Sequence, residues 1–148
     1  MNLRDRIPED MKAAMRARDS ARLSAIRLLL AAMKQREVDE RVELSDPDIL
    51  SIIEKMMKQR RESVAQYALA ARQDLVDAEK FEMDVLAAYL PQQMDDADIA
   101  AAVAAAIAET SAASVKDMGK VMALLKPRLA GRADTAKVSG MVKSRLSA

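Results

Sequence analysis

Cysteine, histidine and tryptophan are absent from the 148 residues. Without cysteine there is no disulfide framework, thiolate nucleophile or zinc knuckle. Without histidine the commonest general base and the commonest transition-metal ligand are gone. Three glycines and four prolines leave little room for the tight turns that join β-strands. Aromatic residues are limited to Tyr67, Phe81 and Tyr89. All three fall at or near predicted core stripes, which argues against runs of stacked single-stranded bases. Charge of neither sign dominates: 24 Lys+Arg stand against 23 Asp+Glu, a net charge of +1. A wholly basic nucleic-acid coat and an acidic solvating tail are both excluded. Long apolar runs are also lacking. The longest, Ile99 to Ala108, is mostly alanine, too short and too weakly apolar to span a bilayer. Met1 to Asp10 alternates charge and carries no apolar leader. The missing leader and missing cysteine make a cytoplasmic location the expectation.

What remains is rich in Ala, Glu, Lys, Leu and Arg, the composition of an all-α protein. Of the 51% hydrophobic content, 29 residues are alanine, so the true core is smaller than the percentage suggests. Punctuation divides the chain into about seven helical segments. Pro8 suits the first turn of a helix reaching about Arg18. Asp19-Ser20 ends that helix and caps a second, in which Leu23, Ile26, Leu30 and Met33 follow a 3-4-3 seam that fades near Val42. Ser45-Asp46-Pro47 is a start signal. The third helix then lines up Ile49, Ile53, Met56, Met57, Val64 and Tyr67. A fourth runs from near Asp74 to Leu90, and it can continue directly from the third because no Gly or Pro lies between.

Pro91 disfavours the α conformation at Leu90 and stops the helix. Asp95, Asp96 and Asp98 then crowd the start of the next one, where carboxylates suit the helix dipole. Helix capping explains this acid cluster better than metal binding. The reading is a two-part helical protein, an N-terminal bundle over 1–93 and a small C-terminal domain over 94–148. In the second part, Ile99, Val103 and Ile107 form a thin ridge on an alanine-rich helix. Ser114 and Asp117 resemble a capping box. Met118, Val121, Met122, Leu125 and Leu129 form the next stripe, which Pro127 kinks or ends. Gly131 is placed as a left-handed C-cap. Asp134 caps a last helix that buries Val138, Met141, Val142 and Leu146.

Charge shifts along this second part. Lys116 to Arg145 holds eight bases against Asp117 and Asp134. Two glycines stand where a helix prefers alanine by roughly 1 kcal/mol. Gly140 lies opposite the Val138–Val142 stripe, among Lys137, Ser139, Lys143 and Ser144. Gly119 lies at the edge of its stripe, beside Lys126. A glycine on a basic helix face lets a phosphate backbone come close. The alternative is a tolerated surface glycine on an ordinary solvated face. The candidate nucleic-acid-binding residues are Gly119, Lys120, Lys126, Arg128, Gly131, Arg132, Lys137, Gly140 and Lys143, with Arg128 and Arg132 flanking the turn the most directional. Recognition of folded RNA by shape and backbone needs no aromatics.

In the first part, Arg60 falls within the stripe of Met56, Met57, Val64 and Tyr67. Glu82 falls among Ala78, Val85 and Tyr89, and Glu37 extends the Leu23–Met33 seam. Charges on apolar stripes usually pair, so Arg60 is expected to pair with Glu82 or Glu37 in a structural role. No catalytic, cofactor or metal residues are assigned. A phosphate loop, a Gly-x-Ser-x-Gly elbow and H-E-x-x-H are all missing.

Lys58-Gln59-Arg60-Arg61-Glu62-Ser63, Tyr67, Arg72-Gln73-Asp74-Leu75, Glu79, Glu82 and Tyr89-Leu90-Pro91 together resemble the YqeY family. Met118-Gly119-Lys120-Val121-Met122, Leu125-Lys126, Gly131-Arg132-Ala133-Asp134 and Val138-Ser139 look like its C-terminal signature. That family is similar to the C-terminal region of GatB, a component of the glutamine-dependent aspartyl/glutamyl-tRNA amidotransferase. The resemblance implies a helical two-part fold whose C-terminal helices are associated with tRNA. It also implies carbon–nitrogen ligase activity with glutamine as amido-N-donor. The kinase and amidation centre of GatB lies in a preceding domain, so no stand-alone catalysis is expected. tRNA or another structured RNA is the expected partner, with amidotransferase or aminoacyl-tRNA synthetase components as further candidates. A membrane and DNA are not expected.

Overall fold

The computed structural model describes residues 1–147. Among them are seven α-helices, one short 3-10 turn and no strand, so the protein is all-α. The helices are α1 (Leu3–Arg16), α2 (Ser20–Glu40), α3 (Asp46–Leu69), α4 (Gln73–Ala87), α5 (Asp96–Thr110), α6 (Met118–Leu129) and α7 (Thr135–Ser147). The chain forms two compact units that divide between Leu90 and Pro91. That division lies three residues before the 93/94 boundary read from the sequence. The segment after Pro91 is tied to the second unit. Met94 N–H donates to the Arg132 carbonyl at 2.9 Å, and Gln93 Nε2 donates to the Gly131 carbonyl at 2.6 Å.

In the first unit, α1 begins at Leu3, five residues before Pro8, so the proline stands inside the helix rather than in its first turn. The early start has two side-chain anchors. Asn2 accepts from the Asp5 N–H and Asp46 accepts from the Leu3 N–H, both at 2.9 Å. At α3, Ser45 and Asp48 make a reciprocal capping box with Pro47 in the first turn. The third and fourth helices are not continuous. Ala71 takes a left-handed conformation, φ 56°, and the Arg72 N–H donates to the Tyr67 carbonyl at 2.9 Å. The break folds α4 back along α3 as a helical hairpin. Ile7, Ile26, Leu29, Ile49, Ile53 and Leu86 are the best-buried side chains of this unit's core.

The second unit is a three-helix cluster in which α5, α6 and α7 pack pairwise. Asp95 caps α5 by accepting from the Asp98 N–H at 2.8 Å. Asp117 accepts from the Ala113 and Ser114 N–H groups, and these two bonds hold its carboxyl below the usual aspartate range. Pro127 sits in the last turn of α6, and the chain leaves the helix at Ala130. Gly131 then adopts φ 72°, the left-handed conformation expected of it. Ile99, Val103, Val121, Leu125 and Val142 are almost wholly buried. This core fixes which faces of α6 and α7 are left to solvent.

Candidate nucleic-acid interface

The outward faces of α6 and α7 follow from the core stripes. Burying Val121, Leu125 and Leu129 turns Gly119, Lys120 and Lys126 outward. Burying Val138, Val142 and Leu146 turns Lys137, Gly140 and Lys143 outward. A Cβ added to Gly119 or to Gly140 would meet no atom within 4 Å. Neither glycine is required by packing within its unit, yet each lowers helix propensity. Gly131 is different. It is buried and left-handed, and its carbonyl accepts from Gln93, so it shapes the turn.

The bases of this surface fall into two kinds. Arg128, Arg132 and Lys137 are engaged inside the chain. Arg128 pairs with Glu109 of α5 at 2.9 Å, Arg132 Nε donates to the Gln92 carbonyl at 3.2 Å, and Lys137 pairs with Asp96. The two arginines expected to act together beside Gly131 therefore have separate partners, one on α5 and one in the segment after Pro91. Arg128 and Lys137 are about half exposed, and pairs of that kind contribute little to stability, so they can exchange partners readily. Lys120, Lys126, Lys143 and Arg145 are exposed and form no ion pair among the described residues.

Lys137, Gly140 and Arg145 share a further feature. With Ser144 and Met141 of α7, and Ala100 and Val103 of α5, they line a groove of about 580 Å³. Arg145 belongs to the basic run, and Ser144 to the neighbours of Gly140, already read from the sequence; helical spacing adds that Ser144 lies four residues from Gly140 and Arg145 eight from Lys137.

In the first unit the Arg60 guanidinium approaches Glu82 at 2.9 Å and Glu79 at 3.5 Å. Arg60 Nε and the Glu79 and Glu82 Oε2 atoms are shielded from water without an aligned hydrogen bond. One guanidinium thus faces two carboxylates. Burial, together with the neighbouring Glu79 charge, raises the Glu82 carboxyl above its ordinary range, against the pull of Arg60. Glu37 is not a partner of Arg60. It accepts from Arg4 Nε at 2.7 Å and from the Leu44 N–H at 3.3 Å, which lower its titration. Tyr89 donates to Asp10 at 2.6 Å beneath the Arg6 guanidinium, and burial with that bond raises the phenol's titration. Among the described residues no group of three or more carboxylates is placed to hold a metal ion. No single helix there is long and apolar enough to cross a membrane.

The sequence profile of the family described as "Yqey-like protein" matches residues 4–146. Curated relatives carry the name "altered inheritance of mitochondria protein 41, mitochondrial". The one from Eremothecium gossypii is 39% identical over 57% of this chain and 46% of its own length. Those from Kluyveromyces lactis and Saccharomyces cerevisiae are each 33% identical over 56% of this chain and 45% of their own length. The chain spans about half the length of the curated relatives it matches. Their names overturn the cytoplasmic expectation, because the relatives are mitochondrial proteins by name. Lack of cysteine bears on disulfide chemistry and does not distinguish one reducing compartment from another.

Proposed function

The chain belongs to the YqeY family, and from that premise we propose that it is an RNA-associated accessory module. Its resemblance to the C-terminal region of GatB suggests tRNA as the structured RNA. The observation that carries this reading is the pair of open glycines, Gly119 and Gly140, on solvent-facing helix positions among exposed bases. Two helices, α6 and α7, that each give up propensity at one exposed position without an internal packing reason leave their backbones open to something outside. Exposed cations on both sides of those openings suit phosphate oxygens.

The test is a titration of the full chain with total tRNA at low salt. Binding is expected, and Lys126→Ala combined with Lys143→Ala should weaken it with the helical signal unchanged. Absence of binding at low salt sinks the reading. Two alternatives are separated by companion measurements. Glutamine-dependent amidation of mischarged tRNA that requires this chain within an assembly would make it a component of a carbon–nitrogen ligase. Capture of a synthetase or an amidotransferase component without RNA would make it a protein-interaction module.

A further inference from the structure

The α5–α7 groove has a composition unlike the rest of the basic surface. Its floor is apolar: Val103 and Ala100 from α5, Met141 from α7, and Gly140, which contributes no side chain. Its ends are cationic. Lys137 and Arg145 are eight residues apart on one helix, about 12 Å along the axis. Ser144 adds a hydroxyl to the lining. Lys137 is partly neutralised by Asp96, whereas Arg145 forms no ion pair among the described residues. The faces of paired bases are stacked inside a duplex, so they are not offered to an apolar floor, whereas an unpaired base has a face free to lie on one.

We propose that this groove takes an unpaired nucleotide of the bound RNA, with the base on the Met141–Gly140–Ala100 floor and its phosphate on Arg145. The proposal rests on the RNA reading above and specifies which part of the RNA the α5–α7 face receives. The groove is shallow and open to solvent, so it would cradle one face of a base rather than enclose it. The scarcity of aromatic residues is no obstacle. Aromatic platforms serve runs of stacked bases, whereas a single base can lie against a thioether and small aliphatic groups, and methionine sulfur favours aromatic rings. Gly140 has a definite role here, since any larger side chain would stand where the base goes. Its added Cβ would meet no protein atom, so the opening serves no contact within the unit.

The experiment compares two RNA hairpins by fluorescence anisotropy with the full chain. One is blunt, and the other carries three unpaired nucleotides at its 3′ end. The extension should tighten binding about fivefold or more. Gly140→Leu should cut the extended hairpin's affinity more than the blunt hairpin's and so remove that gain. Gly140→Leu also favours the helix, so loss through unfolding is not expected, and a thermal melt checks it. Arg145→Ala should reduce the same gain more than it reduces blunt-hairpin binding. Equal affinity for the two hairpins overturns the groove proposal while leaving the RNA reading intact. Loss of blunt and extended binding in equal proportion in Gly140→Leu also overturns it, by showing that the glycine admits duplex backbone. Failure of both hairpins and of tRNA to bind wild-type chain overturns the RNA reading itself. Displacement of the extended hairpin by an acidic peptide but not by a short unpaired oligonucleotide would assign the groove to a protein ligand and overturn the proposal.

Discussion

Gly119 and Gly140 stand out at the scale of single residues. Each sits on an exposed helix face with open space where a Cβ would project. Gly119→Ala and Gly140→Ala should therefore each raise stability, by about 0.5–1 kcal/mol, through helix propensity and a less flexible unfolded chain. Urea melts measure this, and destabilisation by either alanine would mean that the glycine has a packing role in the folded unit. Glu37 and Glu82 make a second contrast at the same scale. Glu37 titrates below the ordinary value of 4.5 because Arg4 and the Leu44 N–H bind its ionised form. The stability it contributes is present above that ordinary value and is lost as pH falls through the lowered one. Glu82 titrates above 4.5 because burial and Glu79 oppose its charge. Its contribution is full below 4.5 and is lost as pH rises through the raised value. Melts across acid to neutral pH should show Glu37→Gln losing less stability than wild type on acidification. Glu82→Gln should lose less on the way up to neutrality. The opposite ordering would mean that the two carboxylates have exchanged environments.

The α3–α4 hairpin shows where local sequence signals succeed and where they stop. Ser45, Asp95 and Asp134 were readable as caps because capping is settled within three or four residues. A fourth helix starting near Asp74 is readable and observed from Gln73, but the sharp turn at Ala70–Arg72 is not, because neither Gly nor Pro marks it and a continuous helix fits the same periodicity. Packing of α4 along α3 imposes the break, and Ala71 adopts a conformation that costs an L-residue roughly 1–2 kcal/mol. Ala71→Gly should relieve part of that strain and stabilise the protein by about 0.5–1 kcal/mol, after the added flexibility of the unfolded chain is subtracted. A loss of stability on this change would place the energy of the turn elsewhere. The same limit explains the ion pairs. Arg60 and Glu82 could be matched because both interrupt apolar stripes on neighbouring helices. Glu37 finds Arg4 across 33 residues of sequence, a distance over which helix periodicity carries no information. Pro8 was misplaced for a related reason, since the helix starts where the side chain of Asp46 reaches back to Leu3.

On the scale of the whole molecule, the outward placement of Gly119, Gly140, Lys126 and Lys143 was legible because two apolar stripes fix their helices' orientation. The intrachain partners of Arg128, Arg132 and Lys137 were not, since each comes from α5 or from the segment leading into it. This distinction sets the expected strength of binding. A net charge of +1 over the chain gives little general attraction to a polyanion. Whatever affinity exists must come from bases that are locally concentrated and not already paired. Lys120, Lys126, Lys143 and Arg145 are exposed and form no ion pair among the described residues, although Lys120 lies close enough to help lower the Asp117 titration. If these four engage phosphates, tRNA affinity should fall by about three orders of magnitude for each tenfold rise in salt. Lys126→Ala with Lys143→Ala should flatten the logarithmic slope by about 1.5, one contact's worth for each lysine. Arg128→Ala should change it less, because its guanidinium must first leave Glu109. Residues 1–90 alone should show no such binding, since Lys120, Lys126, Lys143 and Arg145 all lie beyond Leu90. A slope that stays the same in the double lysine variant, or binding that follows the N-terminal unit, would remove the C-terminal helices as the RNA-contacting surface.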